Sequence, residues 1–181
     1  HRGAVGADPT MGDGCGILVQ IPHAFFAEEC SRLGFELPPA GAYAIGQFFM
    51  PPEADARRVI EEIVEKALAD EGLPLLGWRD VPVDSEDLGA AVRKTEPHHR
   101  QVFIGCPASV GDADTFERRV YVARKVISGK VYGSGDERLL EFYPVSVSSR
   151  TIVYKGMVLV HQLGRYFLDL KDERFVSALA L

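Results

Sequence analysis

Two glycine-rich turns near the start carry the residue types best suited to holding a small molecule: Arg2-Gly3, then Gly12-Asp13-Gly14-Cys15-Gly16. A guanidinium clamps a carboxylate through two parallel hydrogen bonds, and a neighbouring glycine lets a substrate come close to the backbone. By residue type alone, however, most Arg-Gly pairs are surface turns. The second turn does not read as a phosphate loop. No Gly-Lys-Ser/Thr follows it, it precedes a strand rather than joining strand to helix, and Asp13 repels an anion. Cys15 lies among backbone N–H groups that would favour a thiolate, but a small residue between two glycines is its commoner explanation.

The remaining reactive residue types read as structural. His98-His99 follow Pro97 in a polar stretch with no Cys-x-x-Cys or His-x-x-x-His beside them, so they predict a surface loop rather than a metal site. Glu61, Glu62 and Glu65 fall on the solvent side of an amphipathic stretch, and Asp169, Asp172 and Glu173 read as turn and cap residues. Arg118-Arg119 follow Glu117, as on a solvated helix face and unlike a nucleic-acid footprint.

Elements must position these groups. Residues 17–21 and 42–50 read as strands, with a short amphipathic helix over 23–33 ending at Gly34. Residues 53–70 form the clearest helix, with apolar residues at helical spacing and Gly72 then Pro74 beyond its end. A strand is expected within 73–83, one or two helical turns within 85–95, and a short strand at 101–104. Asp112 or Asp114 can cap a second long helix reaching Ser128, closed by Gly129. Residues 142–147 and 151–155 read as paired strands around Ser148-Ser149-Arg150, a short helix follows to Phe167, and 175–181 reads as a buried strand. No internal repeat is visible. The pattern predicts one layered α/β or α+β domain over 1–181.

Composition sets the outer bounds. The chain has 181 residues, 46% of them hydrophobic and 25% charged, long enough for a core without disulfides or metal. Its net charge of −6 argues against nucleic acid or an anionic membrane as main partner. Three scattered cysteines suit a reducing, cytoplasmic setting, and no apolar run is long enough to span a membrane. The chain opens at His1 and closes on an apolar segment, so it is expected to be a piece of something longer.

Residues 1–26 (HRGAVGADPTMGDGCGILVQIPHAFF) and 148–181 (SSRTIVYKGMVLVHQLGRYFLDLKDERFVSALAL) resemble the glutaminase segment of glutamate synthase large subunits, which are class II glutamine amidotransferases. The His-Arg-Gly opening is general to that class; the Gly-Asp-Gly-x-Gly-Ile and Val-Tyr-Lys-Gly-Met runs favour glutamate synthase within it. The resemblance implies an α+β, four-layer α/β/β/α sandwich of the N-terminal-nucleophile hydrolase type, incomplete at both ends. It implies that a cysteine upstream of His1 attacks glutamine, so that no catalytic residue falls within 1–181 and the piece alone is inactive. Arg2, with Gly3, would line the glutamine pocket, and Gly12, Asp13 and Gly14 would scaffold the loop beside it. No metal or cofactor is implied within this span; FMN and an iron–sulfur cluster would belong to other domains of the parent. Implied partners are L-glutamine, those further domains, a small NADPH-oxidising subunit, and a second copy across an exposed sheet edge. A non-catalytic binding or regulatory module of the same fold, or another class II amidotransferase, are the alternatives.

Overall fold

The computed structural model describes residues 14–181. Strand β1 (Cys15–Gln20) is followed by helix α1 (His23–Arg32), strand β2 (Tyr43–Met50), helix α2 (Ala54–Asp70) and strand β3 (Leu75–Asp80). A single turn of helix, α3 (Ala90–Arg93), leads to strand β4 (His98–Gly105) and helix α4 (Ala113–Tyr132). Strands β5 (Tyr143–Ser148) and β6 (Thr151–Gly156) and helix α5 (Val160–Tyr166) complete the named elements, with a 3-10 turn at Leu168–Lys171.

The strands form two antiparallel sheets, one of four in the order β3-β4-β2-β5 and one of two, β1-β6. Alternation along β2 and β4 gives the larger sheet two unlike faces. Ala44, Phe48, Met50, Val102 and Ile104 point to one side, where Ile60, Val64 and Leu68 of α2 and Phe116, Val120 and Ile127 of α4 bury them. Tyr43, Ile45 and Phe103 point to the other, where Val19, Ile152 and Tyr154 of the two-stranded sheet, Phe25 and Phe26 of α1 and Tyr166 of α5 form a second core. Helices, sheet and facing sheet are thus stacked, as expected of an α+β sandwich.

Most sequence expectations hold, and four need correction. The 142–147 and 151–155 segments do not pair with each other: β5 hydrogen-bonds to β2 and β6 to β1, so the turn between them carries the chain from one sheet to the other. Helix α4 runs through Gly129 to Tyr132, because Val131 extends its buried stripe and Gly133 takes over the end. Its N-cap is Asp112, which accepts the Thr115 N–H at 2.9 Å. His98 and His99 open β4 rather than sitting in a loop, since they pair with Met50 and Phe49 across β2. The end of the chain contributes one bridge, Val19 to Ala180, plus two bonds between Leu18 and Leu181, with Val176 and Leu181 exposed.

Candidate active site

Chemistry at a sandwich of this kind is best sought where the two sheets part. At one end, β1 begins at Cys15 opposite the last residue of β6, Gly156. Gly14 enters this corner with φ +114°, a conformation that suits glycine. A side chain at Gly16 would place its Cβ 2.6 Å from the Lys155 Cβ and 2.9 Å from the Tyr154 carbonyl oxygen, so glycine is what lets the ribbon close. Gly16→Ala is therefore expected to destabilise the fold by about 1–3 kcal/mol, the usual range for forcing atoms into a packed site, read as a lower urea midpoint with unchanged slope.

Beside this corner lies a cavity of about 340 Å³, walled by Gly156 and Val158 from the β6 end, Phe49 and His99 from β2 and β4, and Tyr166 from α5. A chain of hydrogen bonds runs along its wall. Ser85 Oγ donates to Glu96 Oε1 at 2.6 Å, Tyr166 Oη donates to the same oxygen at 2.8 Å, and His99 Nε2 lies 2.7 Å from Tyr166 Oη. His99 is 3% exposed and wedged among Phe49, Tyr166 and Phe167. Burial there, with a small contribution from neighbouring His98, lowers its pKa to about 3, so the imidazole is neutral. Burial first, and the Glu96 carboxylate second, push the Tyr166 phenol far above its ordinary range.

One layer deeper, between the sheets, is a second polar cluster. Arg79 of β3 grips Asp169 in the 3-10 turn with two parallel bonds of 2.7 and 2.8 Å; the residues are 4% and 3% exposed. Tyr154 Oη donates to Asp169 at 2.7 Å, Arg79 also donates to Gln101 at 3.0 Å, and Gln101 bridges Tyr154 and Gln47. Asp169 is the turn residue the sequence suggests, but it is also a buried anion held by a residue 90 positions away, which the sequence did not show. This cluster holds the 3-10 turn after α5 against β3.

Of the residues singled out from sequence, Gly14 lies at the corner; Arg2, Gly3, Gly12 and Asp13 lie outside the described residues. Among the described residues no group of three or more His, Cys, Asp or Glu is placed to hold a metal ion. The three cysteines are free, and burial pushes the Cys30 thiol up to about 12, which makes it an inert core residue. Among the described residues, no helix is long and apolar enough to cross a membrane. The Ser85–Glu96–Tyr166–His99 chain was not expected; the one hint was a histidine pair just after a proline.

Facing antiparallel sheets with a helix layer, and a cleft beside the glycine corner of the smaller sheet, suit the frame of an N-terminal-nucleophile hydrolase. Consistent with this, the family model "Glutamine amidotransferases class-II" matches residues 1–181, and the chain belongs to that family. Among characterised proteins it is 44% identical, over 181 residues, to the glutamate synthase [NADPH] large chain of Bacillus subtilis (strain 168), covering 100% of this chain and 12% of that one. It is 38% identical over 181 residues to ferredoxin-dependent glutamate synthase 2 of Synechocystis sp., covering 100% of this chain and 11% of the relative. With glutamate synthase [NADH] of Schizosaccharomyces pombe it shares 40% identity over 186 residues, 100% of this chain and 9% of that protein. The chain thus spans a small part of the length of each of these relatives.

Proposed function

We propose that this chain is part of the glutaminase domain of a cytoplasmic glutamate synthase, releasing ammonia from L-glutamine for addition to 2-oxoglutarate. The observation that carries the reading is the full-length similarity to glutamate synthases driven by three different electron donors, NADPH, ferredoxin and NADH. Similarity that persists across donors belongs to the step the relatives share, not to the one that differs. In this reading a thiolate from a residue ahead of His1 attacks the side-chain amide carbon. The C–N bond breaks, nitrogen takes up the proton that the thiol gave to its own α-amino group and leaves as ammonia, and water then hydrolyses the thioester to glutamate. Arg2 supplies the clamp for the glutamine carboxylate, with Gly3 and the Gly12–Gly14 run shaping the loop beside it.

FMN and an iron–sulfur cluster, the later domains and a small NADPH-oxidising subunit belong to the parent under this proposal. Pairing with a second copy across an exposed sheet edge belongs to it too. A polypeptide of residues 1–181 alone is expected to release no ammonia from L-glutamine, because under this reading the attacking cysteine is not among its residues. The test is a coupled ammonia assay on that polypeptide and on one extended upstream to a processed N-terminal cysteine. Activity in the second alone supports the proposal; activity in the first, or in neither, refutes it.

A further inference from the structure

We propose that the free edge of β3 pairs antiparallel with β3 of a second copy, across a two-fold axis at Trp78, joining the two four-stranded sheets into one. This rests on the second-copy pairing proposed above and says which edge carries it. Bonded and non-bonded pairs alternate along an antiparallel ladder. The Val81 N–H donates to the His99 carbonyl at 3.0 Å, and the Gly105 N–H to the Pro74 carbonyl at 2.7 Å. Arg79 and Gly77, opposite Gln101 and Phe103, are therefore the bonded residues between them. Trp78 and Asp80 turn their N–H and C=O groups outward, and no backbone group among the described residues binds them. Unpaired ladder groups of this kind are a template for another strand.

The other edges are blunted. Leu18 on β1 has both its groups bound to Leu181, at 2.8 and 3.0 Å, and the Gln20 N–H donates to Ser177 Oγ. On β6 the Val153 N–H donates to Ser146 Oγ at 3.1 Å, and Lys155 sets a charge on the strand. On β5 Pro144 has no N–H to give, and its carbonyl accepts from Arg124 at 2.9 Å. A β3 edge thus finds its match in another β3 edge, and an edge that pairs with itself closes as a dimer instead of growing into a chain. Charge fixes the register. With the axis at Trp78, the two Trp78 residues exchange N–H···O bonds, Arg79 faces Gly77, which has no side chain, and the two Asp80 carboxylates stay apart. An axis at Arg79 or Asp80 would set like charges opposite each other, and the bulge between Leu75 and Gly77 breaks the ladder on the other side. Trp78 is already held in place, its Nε1 donating to Glu65 at 3.0 Å and its ring beneath the Arg100 guanidinium. With exposed Leu75 it gives the edge apolar surface for the copy to cover.

The chain's single tryptophan is Trp78, so association is read from its emission as well as from sedimentation over a concentration series. The expected result is a monomer–dimer equilibrium, with emission moving to the blue and amide exchange slowing at Trp78 and Asp80 as concentration rises. Asp80→Pro removes an outward N–H without touching the bonds to β4, and is expected to weaken association by about 10-fold or more. Asp80→Asn keeps that N–H while giving up the ion pairs with Arg100 and His98, and is expected to associate as the parent chain does. If the proline variant does not fold, amide exchange in the parent chain decides alone. Sedimentation as a monomer at every concentration overturns this proposal and the second-copy pairing with it. A dimer that slows amides on β1, β5 or β6 and not those of Trp78 and Asp80, or that forms equally well in folded Asp80→Pro, overturns the β3 assignment alone. Either failure leaves the glutaminase reading to its own ammonia assay.

Discussion

Arg79→Met is expected to cost about 3–5 kcal/mol of folding stability, the range for removing one partner of a buried ion pair. The loss arises less from the vanished attraction than from what is left behind. Asp169 stays buried, with its two guanidinium bonds of 2.7 and 2.8 Å gone and only Tyr154 still donating to it. Asp169→Leu in the wild-type background leaves the buried guanidinium with only Gln101 at 3.0 Å and the Glu29 carboxylate at 3.5 Å, and falls toward the lower end of that range. The double variant Arg79→Met/Asp169→Leu is expected to recover most of the deficit, because two apolar side chains of similar volume leave no uncompensated charge. Urea unfolding of the four proteins at neutral pH gives the coupling energy directly. If the two single costs simply add in the double variant, the pair does not act as a unit and this account of the cluster is wrong.

Acidification is expected to destabilise the protein through His99, and the sign follows from where the proton is accepted. In the unfolded chain the imidazole titrates near its ordinary 6.5; in the folded protein burial lowers that to about 3. Between those values the unfolded state binds the proton and the folded state does not, so stability rises with pH across the window and falls as pH drops through it. Over the upper part, from about pH 7 to about pH 5, the histidine contributes a loss of about 2 kcal/mol. The variant His99→Phe removes this contribution and flattens the profile there, while carboxylate titration below it remains. Chemical denaturation at a series of pH values checks this, and a variant profile parallel to the wild type would show that His99 titrates alike in the folded and unfolded states.

Which parts of the molecule were legible in the sequence follows from the range of the forces involved. Helices α2 and α4 write their burial into a local repeat, and β2 is a largely apolar run, interrupted by Gly46 and Gln47, that ends at Pro51, so each could be read from its own residues. Strand β4 could not be read at its start. Pro97 and two histidines look like a loop until β2 lies alongside to bury His99 beneath Phe49 and Phe167. Asp169 fails for the same reason at longer range, since nothing near it announces Arg79. The pairing of β5 and β6 misled because two strands around a tight turn normally form a hairpin, whereas here each finds a better partner elsewhere. At the site, the glycine corner was visible as residue types, but the polar chain behind it was not. Ser85 and Glu96 come from connecting segments, His99 from β4 and Tyr166 from α5, and the four share no spacing.

The crossing turn between β5 and β6 has a mechanical consequence. The Ser149 N–H and hydroxyl both bind the Glu117 carboxylate, at 2.7 and 2.6 Å, so a helix on the outer layer grips the short link that passes directly between the inner two. Such a rivet through three plies resists sliding of any ply over its neighbour. The spacing of the cleft at the far end is thereby set by a fastening at the near one, and loosening the fastener would let the jaws drift.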